Sequence, residues 1–327
     1  MKAIMSIIGA TISLLFLLER NIASLKSFNS EKIERVGRDS PPTEKSPIPN
    51  EYSNSELEVF TDRFARRLNL LQSQCAEIPK NGLRSQKSMG KVIPEANLAF
   101  CAAWKCSSTY WGALYKSIIN YRNITQWTSA ERVATFNDPR STRVLIVRHP
   151  MVRLVSAWNE KMSKHHANGA HYYRSSLRVG LDKYDTHHWS NDSTKSHYVS
   201  FHNFVTWVAL DEHKKNRHFQ PAINMCPPCQ NFNFIVKVET MNDDIFAMFQ
   251  KQQFEVPPTF DLGTPKRSFD NGIGQKSTSA IVEHIKSMYK GVSKVALTKL
   301  KAKFQRDLDY FGYTFDIETS EPGGLEI

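Results

Sequence analysis

Arg148 and Ser156 stand eight residues apart, on either side of a change in hydrophobic pattern. Before Arg148, Val144-Leu-Ile-Val147 is a run of apolar β-formers that predicts a fully buried strand, and Pro150, with no N–H to donate, ends it. After it, Met151, Leu154, Val155 and Trp158 fall at helical spacing. In such a strand, turn and helix unit the turn lies at the carboxyl end of the strand, where open α/β sheets put their ligands. The new helix aims its free N–H groups at the same point. A guanidinium, a hydroxyl and a helix N-terminus together suit a phosphate. The plain alternative is a buried βα unit whose arginine pairs with a carboxylate.

A second unit of the same kind precedes it. Leu98-Ala-Phe-Cys101 predicts a short strand, and Trp111, Leu114, Tyr115, Ile118 and Ile119 predict a helix. Between them Lys105 occupies the turn, with Ser107, Ser108 and Thr109 at the helix start. Hydroxyls there either cap N–H groups or bind an anion, and Lys105 supplies the charge that capping alone does not explain. The arrangement resembles a Walker-type phosphate loop without the two glycines of that motif.

The elements that must hold these turns fit one large domain with tails. The chain has 327 residues, 40% of them apolar, which supports a sizeable core. Lys and Arg outnumber Asp and Glu by 43 to 32, giving a net charge of +11 and favouring an acidic partner. No Lys/Arg run exceeds two, so the charge is not a nucleic-acid tail. The five cysteines, Cys75, Cys101, Cys106, Cys226 and Cys229, are too few for a disulfide scaffold. Cys226-Pro-Pro-Cys229 lacks the second CxxC of a zinc site and any thioredoxin-like context. A structural disulfide is favoured, either within this pair or to another cysteine, and the odd count leaves one cysteine over.

Taken in order, Ala3 to Leu18 is an uncharged, mostly apolar run closed by Glu19-Arg20. Those charges make a poor cleavage region, so an uncleaved anchor over residues 1–20, with the N-terminus in the cytosol, is favoured over a cleaved signal peptide. Residues 21–54 are polar and proline-bearing, a flexible stem. A helix from Ser55 opens the folded domain, 55–317. Asn123-Ile-Thr125 and Asn191-Asp-Ser193 are glycosylation sequons, relevant in the secretory pathway. Residues 163–200 read as a long loop at the mouth of the site, whose His165, His166, His187 and His188 lack clean metal-ligand spacing. Ser200 to Leu210 predicts a capped helix, Asn233 to Val238 a third strand, Asn242 to Gln250 a helix, and Ile281 to Phe311 a helical run ending at Gly312. Residues 318–327 read as an unstructured tail.

Six stretches, in this order, are similar to the Golgi carbohydrate sulfotransferases, in the group that holds the chondroitin and dermatan 4-O-sulfotransferases and the HNK-1 sulfotransferase. They are Phe100 to Trp111, Val147 to Trp158, Ser200-Phe-His-Asn-Phe204, His218-Phe-Gln with Cys226-Pro-Pro-Cys229, Phe234 to Thr240, and Asp307 to Tyr313. The resemblance implies a P-loop-like sulfotransferase fold, α/β, with a central, mainly parallel sheet flanked by helices. It implies that the first turn, Trp104, Lys105, Cys106, Ser107, Ser108, Thr109 and Tyr110, grips the 5′-phosphosulfate of the donor PAPS (3′-phosphoadenylyl sulfate). The second, with Arg148, His149, Arg153 and Ser156, holds its 3′-phosphate. This chain departs from the family pattern at Trp104, where proline is usual, and at His149, where Glu or Asp is usual, so it reads as a divergent member.

Sulfuryl transfer resembles phosphoryl transfer, so positioning and cationic stabilisation should dominate and no metal is required. Lys105 is the candidate for the leaving oxygen. His218, which matches the family's histidine before the cysteine pair, is the candidate base, with structural packing as the alternative, and Glu239 is read as orienting the site or capping the following helix. The expected partners are PAPS, an acidic glycan or proteoglycan acceptor of chondroitin-like character, and a membrane through the anchor, with no nucleic acid. The expected location is the Golgi membrane, single-pass type II, with the catalytic domain in the lumen. A glycan-binding protein that kept the fold without catalysis is one rival. A P-loop-like kinase is another, disfavoured by the missing glycines and by the lack of a recognisable Mg²⁺ partner.

Overall fold

The structure, a computed structural model, describes residues 52–76, 90–123, 127–161, 200–210, 216–257, 260 and 278–315. Helix α1 (Asn54–Ala76) comes first, followed by strands β1 (Lys91–Ile93) and β2 (Leu98–Ala102). Helices α2 (Ser108–Tyr121) and α3 (Ser129–Asn137) lead to strand β3 (Thr142–Val147) and helix α4 (Pro150–Lys161). Helix α5 (Phe201–Ala209) precedes strand β4 (Phe234–Lys237) and helix α6 (Met241–Lys251). Helices α7 (Thr278–Tyr289) and α8 (Lys294–Phe311) are the last of the described elements. The anchor at 1–20, most of the stem, the loop 163–199 and the tail at 318–327 lie outside the described residues. Among the described residues no helix is long and apolar enough to cross a membrane.

The four strands form one sheet in the order β1-β2-β3-β4. β1 pairs antiparallel with β2, while β2, β3 and β4 run parallel, with Ala102 opposite Ile146 and Val147 opposite Lys237. This register ends the three parallel strands at one edge, so the turns after Ala102, Val147 and Lys237 share that edge. Every residue of β3 is buried, which is why its sequence is a continuous apolar run and not an alternation.

β1 carries no readable period at three residues. Its approach to β2 is so close that a Cβ on Gly90 (φ +69°) would stand 2.1 Å from the carbonyl oxygen of Phe100. α3 is set by a capping box, Thr128 accepting from the Glu131 N–H at 3.1 Å while Glu131 accepts from the Thr128 N–H at 2.6 Å. The helical run expected from Ile281 to Phe311 is two helices. The chain turns at Gly291 (φ +94°), and Ser293 caps α8 by accepting from the Ala296 N–H. Gly312 ends α8 in the left-handed region, as its sequence position predicts.

The core has two parts. One joins the sheet to α1, α2 and α6, and the other packs α4 against α5, α7 and α8 around Phe204, Phe219, Tyr289 and Phe304. Asp244 of α6, fully buried, receives Arg63 and Arg67 of α1, and Arg67 also donates to the Ile235 carbonyl of β4 at 2.9 Å. Two disulfides, Cys75–Cys229 and Cys101–Cys226, tie the end of α1 and the end of β2 to one segment, leaving Cys106 free and buried. The CxxC cysteines therefore pair outward and not with each other. Bridges closing loops this long contribute about 2–4 kcal/mol each.

Candidate active site

The first loop turns tightly after β2, with the Cys106 N–H bonded to the Ala103 carbonyl at 2.9 Å. Though it lacks a Walker loop's glycines, this loop places Lys105 (φ +70°) and Ser107 (φ +55°) in the left-handed region. Each such residue stores about 1–3 kcal/mol of strain, which persists only where the surroundings hold it. Ser107 is the N-cap of α2, yet its side chain makes no cap bond, so capping does not account for that hydroxyl. Ser108 and Tyr110 are half-buried and Thr109 is exposed.

Arg148, at the end of β3, donates through Nη1 to the Lys105 carbonyl at 3.2 Å. The two turns singled out in the sequence thus touch, with the second bracing the main chain of the first. Ser156 is buried on α4. Arg153, fully buried, sends Nη1 to the Trp104 carbonyl at 3.5 Å and Nη2 to the Gln220 carbonyl, with its guanidinium over the Phe304 ring at 5.7 Å. Its described hydrogen bonds are with main chain, so it positions the first loop and the segment after His218 relative to each other.

His218 is buried, and its ring meets the Trp104 ring edge-on at 4.3 Å. The imidazole is thereby placed beside the loop that carries Lys105. Downstream, Asp307 of α8 is buried and accepts from the N–H groups of Ala222 and Ile223 at 2.7 and 3.1 Å, which holds the chain just after His218-Phe-Gln. Burial pushes the Asp307 carboxyl up, against the opposing pull of Arg153 and these two N–H groups.

His149 faces inward and not toward the open edge of the turn. Its Nε2 lies 2.9 Å from the Thr314 carbonyl, which only an N–H can satisfy, and Nδ1 accepts from the Met151 N–H at 3.2 Å. These partners assign the neutral Nε2–H tautomer, and the ring serves as the cap of α4 that an acidic residue would otherwise supply. Burial pushes the imidazole pKa down, with Lys237 adding to this, while the Thr314 carbonyl and Glu239 oppose it. Cys106 is buried too, and burial lifts its thiol to about 12, which disfavours the reactive thiolate.

Two acidic residues enter the site, of which the sequence reading named Glu239, as orienting the site or capping the next helix, but not Glu160. Glu160 on α4 forms an ion pair with the Lys105 ammonium. The available signal was its spacing, four residues beyond Ser156 and so on the same helix face. Glu239, at the end of β4, accepts from the His149 N–H at 2.8 Å. Its position just after a strand that ends at the same sheet edge was the signal.

Residues 90–314 match the profile of the sulfotransferase family. Carbohydrate sulfotransferase 10 of Homo sapiens is 22% identical over 306 residues, covering 83% of this chain and 81% of the relative. Carbohydrate sulfotransferase 12 of Mus musculus is 30% identical over 134 residues, covering 36% of this chain and 31% of the relative. Carbohydrate sulfotransferase 8 of Mus musculus is 27% identical over 173 residues, covering 51% and 38% respectively. No solved structure matches the chain.

Proposed function

Because the chain belongs to the sulfotransferase family, we propose that it moves a sulfuryl group from PAPS to a hydroxyl of a glycan, with chondroitin-like glycosaminoglycans as the acceptor class. The observation that carries this reading is the bond from Arg148 to the Lys105 carbonyl, which joins two cationic turns at one sheet edge. PAPS has two anionic ends, a 5′-phosphosulfate and a 3′-phosphate, and two linked anion sites suit it. Lys105 takes the phosphosulfate, with the main chain of residues 104–107 and the hydroxyls of Ser107, Ser108 and Thr109 around it. Arg148 and Ser156 take the 3′-phosphate. The relatives' names support a carbohydrate acceptor, and the net charge of +11 suits an acidic one.

The acceptor oxygen attacks sulfur and forms the new S–O bond, while the bond from sulfur to the 5′-phosphate oxygen breaks and leaves its electron pair on that phosphate. Lys105 stabilises the charge that builds there. His218 takes the hydroxyl proton. The products are a sulfate ester and adenosine 3′,5′-bisphosphate. Trp104, 46% exposed beside His218, offers an apolar face on the acceptor side of the loop. We further propose a Golgi lumenal domain, 55–317, on an N-terminal anchor at 1–20 and a stem at 21–54. The two disulfides support an oxidising compartment.

The test is transfer of label from sulfur-labelled PAPS by the full chain to a panel of desulfated glycans. Transfer by the wild type should be lost in Lys105→Ala, by about 100-fold or more in kcat, and should fail in Arg148→Ala through weaker donor binding. Donor binding with no labelled acceptor across the panel would favour a glycan-binding protein on the same fold. A folded chain that binds ATP and not PAPS would favour the kinase.

A further inference from the structure

The ion pair between Lys105 and Glu160 joins the first loop to the third turn of α4. Its two members are unequally buried, the lysine side chain being 8% exposed and the glutamate side chain 39%. A nearly buried ammonium needs an anion beside it, and here a carboxylate at the rim provides one. The same ammonium is the group that the donor's phosphosulfate must engage.

We propose that Glu160 is a positioning residue that exchanges with the donor, its carboxylate yielding the Lys105 ammonium to the phosphosulfate and reclaiming it as the nucleotide product leaves. This inference rests on the donor reading above. The exchange is charge for charge, so the ammonium is never left without an anion in a poorly solvated place. Glu160 is suited to release because its side chain already meets water, where a freed carboxylate is well solvated. It is suited to return because it sits on the same face of α4 as Ser156, one turn along, and α4 is anchored by its buried apolar side. The exchange would weaken nucleotide binding and speed product release, a step that limits turnover in many enzymes.

The experiment measures binding of adenosine 3′,5′-bisphosphate to the full chain by calorimetry, with its dissociation rate and steady-state turnover alongside. The proteins are wild type, Glu160→Gln, Glu160→Asp, Lys105→Ala and the Lys105→Ala, Glu160→Gln double variant. Removing the competing charge should tighten binding about five- to tenfold in Glu160→Gln, with slower dissociation and lower kcat. Glu160→Asp should stay nearer to wild type. In the Lys105→Ala background the same glutamine substitution should change binding less than about twofold, because the partner it competes for is gone. Equal tightening in both backgrounds would reduce the effect to a general loss of negative charge and overturn the exchange. So would unchanged or weaker binding by a Glu160→Gln protein that melts like wild type, with a fall in kcat alone pointing instead to a base. A wild type that binds neither this nucleotide nor PAPS refutes the donor reading and the exchange with it, whereas normal wild-type binding with no response at Glu160 refutes the exchange alone.

Discussion

The Glu239 carboxylate accepts from the His149 N–H at 2.8 Å with one oxygen and from the Tyr313 hydroxyl at 3.0 Å with the other. One side chain at the end of β4 thereby fastens the turn after β3 to the segment that follows α8. Lys237 reinforces the link from the same strand end, with its ammonium 4.2 Å from the centre of the Tyr313 ring. The clasp holds the residue next to Arg148, so its loss should loosen the turn that carries the proposed 3′-phosphate site.

Glu239→Gln should therefore destabilise the protein by about 2 kcal/mol, the value of charge-assisted hydrogen bonds. Tyr313→Phe should cost about 1 kcal/mol. The double variant should lose less than the sum, since the two changes remove one shared bond. Chemical denaturation of the four proteins decides this, and strict additivity would show that the Tyr313 hydroxyl and Glu239 do not interact.

Stability should fall in mild acid because of His149. Its folded pKa lies below its ordinary 6.5, mainly through burial. The unfolded chain thus binds the proton first as pH drops, and the contribution of the neutral imidazole is complete above 6.5 and lost as pH falls through the depressed value. Protonation would also remove the lone pair on Nδ1 that caps the Met151 N–H, close to Lys237. Melting curves between about pH 5 and 8 should slope upward with pH in this range. In His149→Asn, which keeps a short polar side chain at the cap, the slope should be shallower, and an unchanged slope would assign it to other groups.

Arg153→Lys should not be conservative. The planar fork reaches the Trp104 and Gln220 carbonyls together, and a single ammonium on a straight stem does not reproduce that geometry. About 2–3 kcal/mol of stability should be lost, and KM should rise for donor and acceptor together, since the fork joins the loop carrying Lys105 to the segment carrying His218. A rise confined to one substrate would show that Arg153 serves only one side of the site.

The thiol count should depend on folding. With two disulfides and Cys106 buried, the native chain should react with no alkylating reagent, and the denatured, unreduced chain should react once. Burial that lifts the Cys106 thiol to about 12 leaves almost no thiolate at neutral pH. Native labelling at Cys106 would contradict its burial. Cys229→Ser should cost about 2–4 kcal/mol by opening the bridge to Cys75.

What the sequence determined by itself was local. A buried strand needs a continuous apolar run and a helix needs period 3.6, so β2, β3, α2 and α4 were legible from neighbours in the chain, and with them the placement of Lys105, Arg148 and Ser156 in the turns and on the helix that follow the strands. The cap at Gly312 was legible for the same reason. The short strand β1 was not, because three residues carry no period, and the break at Gly291 was hidden by helical spacing that continues on both sides of it. Tertiary structure alone decided which distant groups meet. Cys75 finds Cys229, Glu160 finds Lys105, and Glu239 joins His149 to Tyr313, because the parallel register brings three strand ends to one edge. Pairing between residues far apart in sequence depends on packing that no local pattern encodes. For the same reason His149 and Arg153, both expected to face the donor, turn inward to carbonyls: burial requires their N–H groups to find acceptors, and the packed fold supplies them there.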